Sequence, residues 1–537
     1  MGISAILIIN NLVSVSVKMY SFTQQSLNSG QQILNQRTNQ SRKTNGQFLT
    51  PPTLARLMAN QLGEIKSGAS ILDPAMGSGA LLCAVIERLI EAGEPLDITI
   101  HGFELDEELY TVAQSVLMPA INHASKHGIN IQLHLHHADF ILNGIQFLRP
   151  MLMGEPVGER YYTHIIANPP YFKIGRDDNW RKATELLLGG HTNMYTLFMG
   201  LSARMIKGGN ACFIVPRSFC SGAYFEQFRR EFLNCVTIQH IHLFEARDEV
   251  FSQDDVLQEN LVITFTSREN RLDDETIGLS SGNSLEIPID KKTIRHITKK
   301  QFLSPSGLFR LPMTEIDDMI LDVVDSWTET LHTQGLEIST GRVVAFRATD
   351  YLINRQENAS QVPLLWMQHI RPQAVIFPLN GRFHKPQYIE SEPSLVVENK
   401  NYVLLRRFST KEEARRIVAA PYLAEKYPYS QVGLENHLNY IYGQNRDLTT
   451  EETIGLSALL NCSVIDRYFR ISNGNTQVNA TELRALPIPS LVVIADIGRA
   501  VIQEKSGMDI DAIVLDVLLT AMLIPSDFPI LSKTKVI

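Results

Sequence analysis

The feature that most constrains this chain is an alternation of segment types between Gln47 and about residue 270. Short apolar runs of strand character are separated there by stretches with helical periodicity. The strand-like runs are SILD (70–73), ITIHGFE (98–104), IQLHLHHAD (131–139) and THIIAN (163–168), then ACFIVP (211–216), VTIQHIHLF (236–244) and ENLVITF (259–265). Helices are expected from about Ala80, from about Glu107 and near 193–206. Alternation of this kind buries a mostly parallel sheet between two helical layers, so the expected fold class is α/β with a doubly wound sheet. The closing strands follow one another without a clear helix, which predicts an antiparallel edge.

At 537 residues the chain exceeds one ordinary domain. Residues 1–46 are expected to be a flexible or non-native arm: 20–46 are rich in Gln, Asn and Ser, with little apolar periodicity. The first 17 residues are apolar, but Asn10 and Asn11 interrupt them and no basic residue precedes them. Neither a signal peptide nor a membrane anchor is expected there, and Met19 is an alternative initiator. The alternating domain spans 47–270, and RLDDETIGLSSGNS (271–284) reads as a linker. A second, more irregular and aromatic domain of α+β character is placed at 300–490, with a helical tail over 491–537. The five cysteines are scattered without CxxC spacing, which points to a reducing cytoplasm and no structural metal. The net charge of -8 does not exclude a polyanionic partner, because Arg342–Arg416 carries 12 Lys/Arg against 7 Asp/Glu.

The first strand runs into DPAMGSGALL, with Asp73, Gly77 and Gly79. Such glycines permit a tight strand-to-helix turn and close approach of backbone to a ligand. The pattern is neither GxGxxG nor a phosphate-binding P-loop. Glu104 ends the second strand, where a carboxylate can accept from both hydroxyls of a ribose. Asp139 ends the third, followed by Phe140, a pair suited to an adenine amino group and ring. Three acids at three successive strand ends converge on the edge where open α/β sheets bind ligands. The fourth strand ends in Asn168-Pro169-Pro170-Tyr171. An exocyclic amine is a poor nucleophile because its lone pair is delocalised into the ring. Two acceptors, the Asn168 side-chain oxygen and the Pro169 carbonyl, could hold both amine hydrogens and favour a tetrahedral nitrogen. The prolines stiffen the presenting backbone, and Tyr171 offers a face on which an extruded base can stack.

The order FLTPP (48–52), DPAMGSG (73–79), FELD (103–106), ADF (138–140) and NPPY (168–171) resembles the gamma group of N6-adenine DNA methyltransferases from restriction–modification systems. NMYTLF (193–198), FIVPRSF (213–219) and EVFSQDDV (249–256) fit the same order. The resemblance implies a class I methyltransferase domain that takes S-adenosylmethionine as methyl donor and needs no metal. It implies that Phe48, Thr50 and Pro51 close the donor site from its N-terminal side. Asp73, Gly77 and Gly79 would line the methionine end, Glu104 would hold the ribose, and Asp139, Phe140 and Phe198 would hold the adenine. Asn168, Pro169, Pro170 and Tyr171 would form the catalytic loop, and Phe251 would face Tyr171 across the target base. Here Phe251 is followed by Asp254 and Asp255, where related sequences can carry basic residues.

The second domain resembles the target-recognition domains of that group more loosely, through NGNTQVNATELRALPIP (473–489). Arg406 and Arg407 are candidate contacts to phosphate or guanine, a solvated pair at a strand end being the equal alternative. The expected partner is double-stranded DNA, with a cognate restriction endonuclease as functional counterpart, for a cytoplasmic monomer. His134, His136 and His137 are read as packed or solvent-facing rim residues, and Glu398–Lys400 as no nuclease site. Two alternatives remain at this level: a methyltransferase acting on RNA or a protein glutamine, and a catalytically silent DNA-binding specificity subunit.

Overall fold

The computed structural model describes residues 21–38, 48–152, 161–175, 177–188, 193–244, 259–270, 276–282, 294–356, 358, 360–381, 383–409, 413–473, 477–504 and 509–529. The chain divides into two compact units, one of 1–220 with 224–303, the other of 221–223 with 304–537.

The first unit is built on nine strands: β1 (Ser70–Asp73), β2 (Leu96–Glu104), β3 (Ile129–His137), β4 (His164–Ala167), β5 (Asn210–Pro216), β6 (Val236–Phe244), β7 (Asn260–Ser267), β8 (Thr276–Gly282) and β9 (Arg295–Thr298). Their order in the sheet is β3-β2-β1-β4-β5-β7-β6-β8-β9. Strands β1 to β5 are mutually parallel, and β7 lies antiparallel to both β5 and β6. The helices are α1 (Ser21–Asn35), α2 (Pro52–Gln61), α3 (Ala80–Ala92), α4 (Glu107–Ser125), α5 (Phe140–Leu152), α6 (Asn179–Leu188), α7 (Met194–Met205) and α8 (Glu226–Cys235). Central strands β4 and β7 are buried along their whole length, as a sheet covered on both faces requires. The chain winds one way from β1 through β2 to β3 and the other way from β4 to β5. The strand order therefore reverses between β1 and β4, and the carboxyl ends there are where such sheets bind ligands.

Two expectations fail in this unit. Residues 21–35 are not a flexible arm but helix α1, packed against α3 and α4. Its first turn is capped by a carboxylate from α3: Glu87 accepts from the Phe22 and Thr23 N–H groups at 2.8 and 3.1 Å and from the Thr23 hydroxyl at 2.7 Å. The stretch read as a linker contains β8, whose Gly278 abuts the His240 ring and Ile294 so closely that a Cβ would sit about 3 Å from each. The glycine that makes the segment look loop-like is what lets it pair with β6. Because β8 and β9 extend the same sheet, the first unit runs to residue 303 rather than 270.

The second unit holds a four-stranded antiparallel sheet in the order Leu336–Thr340, Leu438–Gly443, Tyr402–Arg406, Ala419–Tyr422. A five-stranded mixed sheet and a set of helices complete it. The segment expected as a tail belongs to its core. Helix Leu491–Gln503 meets helix Thr450–Asn461 through Gly455 and Gly498, where any Cβ would strike the facing backbone. Ile494, Ile497, Val514 and Leu518 are buried with Leu336, Leu456 and Val464. Among the described residues no helix is long and apolar enough to cross a membrane.

Candidate active site

A cavity of about 330 Å³ opens at the carboxyl ends of the central parallel strands of the first unit. Its floor is the β1–α3 turn. Gly77 and Gly79 there adopt φ of 55° and 90°, a left-handed conformation that side chains with a Cβ disfavour. Nothing lies within 4 Å of where a Gly77 Cβ would point, so the backbone itself forms that wall. The Glu104 carboxylate fixes the turn from the next strand, accepting from Gly77 N–H at 2.9 Å and from Asp106 N–H at 2.8 Å. Burial raises its pKa above the ordinary glutamate value despite those bonds.

Asp73 lies beneath the same turn and is wholly buried. One carboxylate oxygen accepts from Ala75 N–H at 3.1 Å, while the other has no partner among the described residues. Burial, aided by the neighbouring Glu104 charge, pushes its pKa up to about 8. At the opposite end Asp139 caps α5, its Oδ1 accepting from Leu142 N–H at 3.0 Å. Its Oδ2 accepts from the Trp180 indole N–H at 2.6 Å. The Phe140 and Phe198 rings stack with centroids 5.4 Å apart. A third ring between them would need roughly 7 Å, two van der Waals contacts, so the pair forms one continuous wall.

Asn168 reaches the cavity from the end of β4 with its carboxamide held on both sides. The Nδ2 group donates to the Phe48 carbonyl at 3.1 Å and to the Thr50 hydroxyl at 3.0 Å. Since the carbonyl can only accept, the amide orientation is settled, and Oδ1 faces the Tyr171 hydroxyl at 2.7 Å. That hydroxyl is also 2.8 Å from the Ile214 carbonyl. The Tyr171 ring is 6.2 Å from that of Phe48, roughly parallel to it, and 6.2 Å from that of Tyr195, at a right angle to it. FLTPP and NPPY, about 120 residues apart, are thus one hydrogen-bonded assembly.

The N-6 DNA methylase family profile matches residues 31–275. The type II methyltransferase M.BsuBI of Bacillus subtilis is 33% identical over 488 residues, 88% of this chain and 94% of that protein. The chain belongs to the N-6 DNA methylase family. M.PstI of Providencia stuartii, also a type II methyltransferase, is 31% identical over 85% of this chain and 89% of its own length. A solved type I restriction–modification methyltransferase subunit from Streptococcus thermophilus is 20% identical, covering 47% of this chain and 50% of its own, with a TM-score of 0.34.

In this family member Phe48, Gly77, Glu104, Asp139, Phe140, Asn168, Pro170 and Phe198 all line the one cavity. Asp73, Gly79, Thr50, Pro51, Pro169 and Tyr171 stand behind or beside its wall rather than in it. Phe251 lies outside the described residues. Arg406 and Arg407 both turn guanidinium donors onto their own unit. Arg406 donates through Nε and Nη2 to the Ile370 carbonyl, at 2.9 and 2.6 Å, and Arg407 donates to the Asn436 carbonyl at 3.2 Å. His134 and His136 stack on His101, and Lys400 pairs with Glu398 and Asp447.

Sequence reasoning missed Trp180 and Phe172 in the cavity wall, and the buttress behind it. Arg37, just past α1, grips Asp106 at 2.5 and 2.9 Å and also contacts Glu108. Ser26 of α1 donates to the Ser78 carbonyl at 2.7 Å, under the glycine turn. The family profile begins at residue 31, so it takes in Arg37 and the end of α1 but not Ser26.

Proposed function

We propose that the chain transfers a methyl group from S-adenosylmethionine to N6 of an adenine rotated out of duplex DNA, and that the cavity at the β1–β4 strand ends holds both reactants. The residues present suit the donor. An aromatic wall with a carboxylate at one end fits an adenine, a second carboxylate on the turn fits a ribose diol, and the unpartnered Asp73 oxygen fits a cationic amino group. Glu104 is assigned the ribose, Asp139, Phe140 and Phe198 the adenine, and Asp73, Gly77 and Gly79 the methionine end. Phe48, Thr50 and Pro51 close the site from the N-terminal side, and Phe48 and Thr50 also seat Asn168. When bound, S-adenosylmethionine supplies an electrophilic methyl carbon on a sulfonium.

The observation that carries the reading is the fixed Asn168 carboxamide. Its oxygen has two lone pairs, one facing Tyr171 and one left for the incoming amine. Among the described residues none donates to the Pro169 carbonyl. Those two acceptors hold both N6 hydrogens, so the nitrogen lone pair localises and points at the methyl group. Transfer would give the nitrogen the methyl carbon and leave the donor's electron pair on its sulfur, after which the nitrogen would release one proton to solvent. Tyr171 is assigned a face of the target base, and its hydroxyl keeps Asn168 oriented. Extrusion of the base costs a few kcal/mol, offset by stacking in the pocket. The second unit is assigned target recognition. A cognate restriction endonuclease would be the functional counterpart, in a cytoplasmic setting.

The test is transfer of label from S-adenosylmethionine to unmethylated genomic DNA, followed by nucleoside analysis. N6-methyladenine at a reproducible sequence is expected, with Asn168→Ala reducing transfer about a hundredfold or more while leaving donor affinity nearly intact. Label on cytosine N4, RNA or protein glutamine would overturn the assignment, as would normal methylation by the Asn168 variant.

A further inference from the structure

Helix α6 follows the catalytic loop and carries, at its second position, a tryptophan that no motif singled out. Its indole is half-buried in the cavity wall, on the same side as Asp139, Phe140 and Phe198. The Trp180 N–H meets Asp139 Oδ2 at 2.6 Å, while Asp139 Oδ1 is occupied by the first turn of α5. The Trp180 ring also leans on Phe172 at 6.1 Å. The carboxylate is therefore held at both oxygens by donors from two different helices. An ionised carboxylate offers about four acceptor sites, so each oxygen keeps one lone pair after these two bonds. Without the indole, Oδ2 would be free to rotate about χ2 or to be taken by water.

We propose that Trp180 is a positioning residue for the methyl donor: by fixing Asp139, it makes this end of the cavity select a purine that carries a 6-amino group. The inference rests on the reading of the cavity as the donor site. A 6-amino group donates to the oriented carboxylate, whereas a 6-oxo group presents a second acceptor to it and is repelled. Selectivity of this kind is large only where the site's acceptor is held rigidly and left unpaired by the wrong ligand. The indole N–H supplies that rigidity, and its ring supplies part of the wall.

The test compares the full chain with Trp180→Phe, which keeps an aromatic wall and removes only the N–H donor. Affinity for S-adenosylhomocysteine and for its deaminated analogue S-inosylhomocysteine is measured by calorimetry. The wild type is expected to prefer the adenosyl ligand. In the variant, S-adenosylhomocysteine should weaken about tenfold, the scale of one hydrogen bond to a charged group. S-inosylhomocysteine should be nearly unaffected, so the preference shrinks. Retained binding of the analogue also establishes that the variant is folded. The chain has three tryptophans, and Trp327 and Trp366 belong to the second unit. The emission change on ligand addition should therefore come from Trp180 and disappear in the variant. Equal weakening of both ligands, unaltered affinities, or a persisting emission change would overturn the proposal and leave the donor site standing. A wild type that binds neither ligand would remove the donor reading itself, and this inference with it.

Discussion

Replacing Asp73 by asparagine should make the protein relatively more stable as pH rises, with a magnitude set by the geometry beneath the glycine turn. The carboxyl is completely buried, one oxygen has only the Ala75 N–H and the other has no described partner. Its pKa stands at about 8 against an ordinary 3.8, so between those values the folded state holds a proton that the unfolded chain releases. Stability from this group is complete below about pH 4 and is lost as pH rises through about 8. Between pH 5 and pH 8 the loss amounts to about 4 kcal/mol. Asparagine keeps an oxygen for Ala75 N–H but carries no charge at any pH, so it escapes the loss. The assay is thermal unfolding of both proteins from pH 5 to pH 8. The melting temperature of Asp73→Asn relative to wild type should climb across that range by on the order of 10 °C. Other titrating groups are common to both proteins and cancel in the difference. A saturating ligand whose ammonium sits by the orphan oxygen should flatten the wild-type profile. If the two proteins lose stability in parallel from pH 5 to pH 8, the burial argument for Asp73 is wrong.

Tyr171→Phe should leave donor affinity unchanged and lower the rate of methyl transfer roughly tenfold, because one of the three groups orienting the Asn168 amide is lost; single-turnover kinetics with labelled donor would show it, and an unchanged rate would confine the hydroxyl to packing. Glu87→Ala leaves the Phe22 and Thr23 N–H groups without their acceptor at a cost of about 2 kcal/mol, so limited proteolysis should begin cutting within α1 while the wild type resists there. His240 and His242 share the Ser280 hydroxyl at 2.9 and 2.8 Å, and burial pushes both pKa values down to about 4. Their stability contribution is present above about pH 6.5 and fades toward pH 4, so His240→Gln with His242→Gln should flatten acid unfolding in that window, read by denaturant titration at each pH.

What could be read in the sequence follows from how far apart the interacting partners are. Asp73 and Glu104 end their strands and Asp139 follows the third by two residues, each after a strand pattern visible in four to nine consecutive residues. The sheet then brings the three together by topology alone, so local pattern was enough. The link between Asn168 and Phe48 with Thr50 spans about 120 residues; each end carries a motif, but their hydrogen bonding emerges only from the structure. Trp180 had no such help: it is an unremarked tryptophan in a polar helix, and its meaning comes from meeting Asp139 across 41 positions.

The larger errors have a different cause. They concern segments that fold by burying small or polar residues instead of apolar ones. Thr23 and Ser26 are fully buried in α1, and Gly30 lies against Ser78 where a Cβ would come within 2.8 Å of the hydroxyl. A helix that docks this closely must use Ser, Thr and Gly, which are the residues that mark a disordered segment when counted by composition. Strand β8 repeats the point with Gly278 against His240 and with Ser280 buried between two imidazoles. Arg406, at a strand end, likewise spends its Nε and Nη2 donors on the distant Ile370 carbonyl, a bond that no local pattern announces. Hydrophobic periodicity reports how much apolar surface a segment hides and says nothing of polar groups satisfied by distant partners. The elements that steady this site, α1, Arg37 and Trp180, all work through such partners, and the cavity's chemistry was therefore easier to read than the structure that holds it in place.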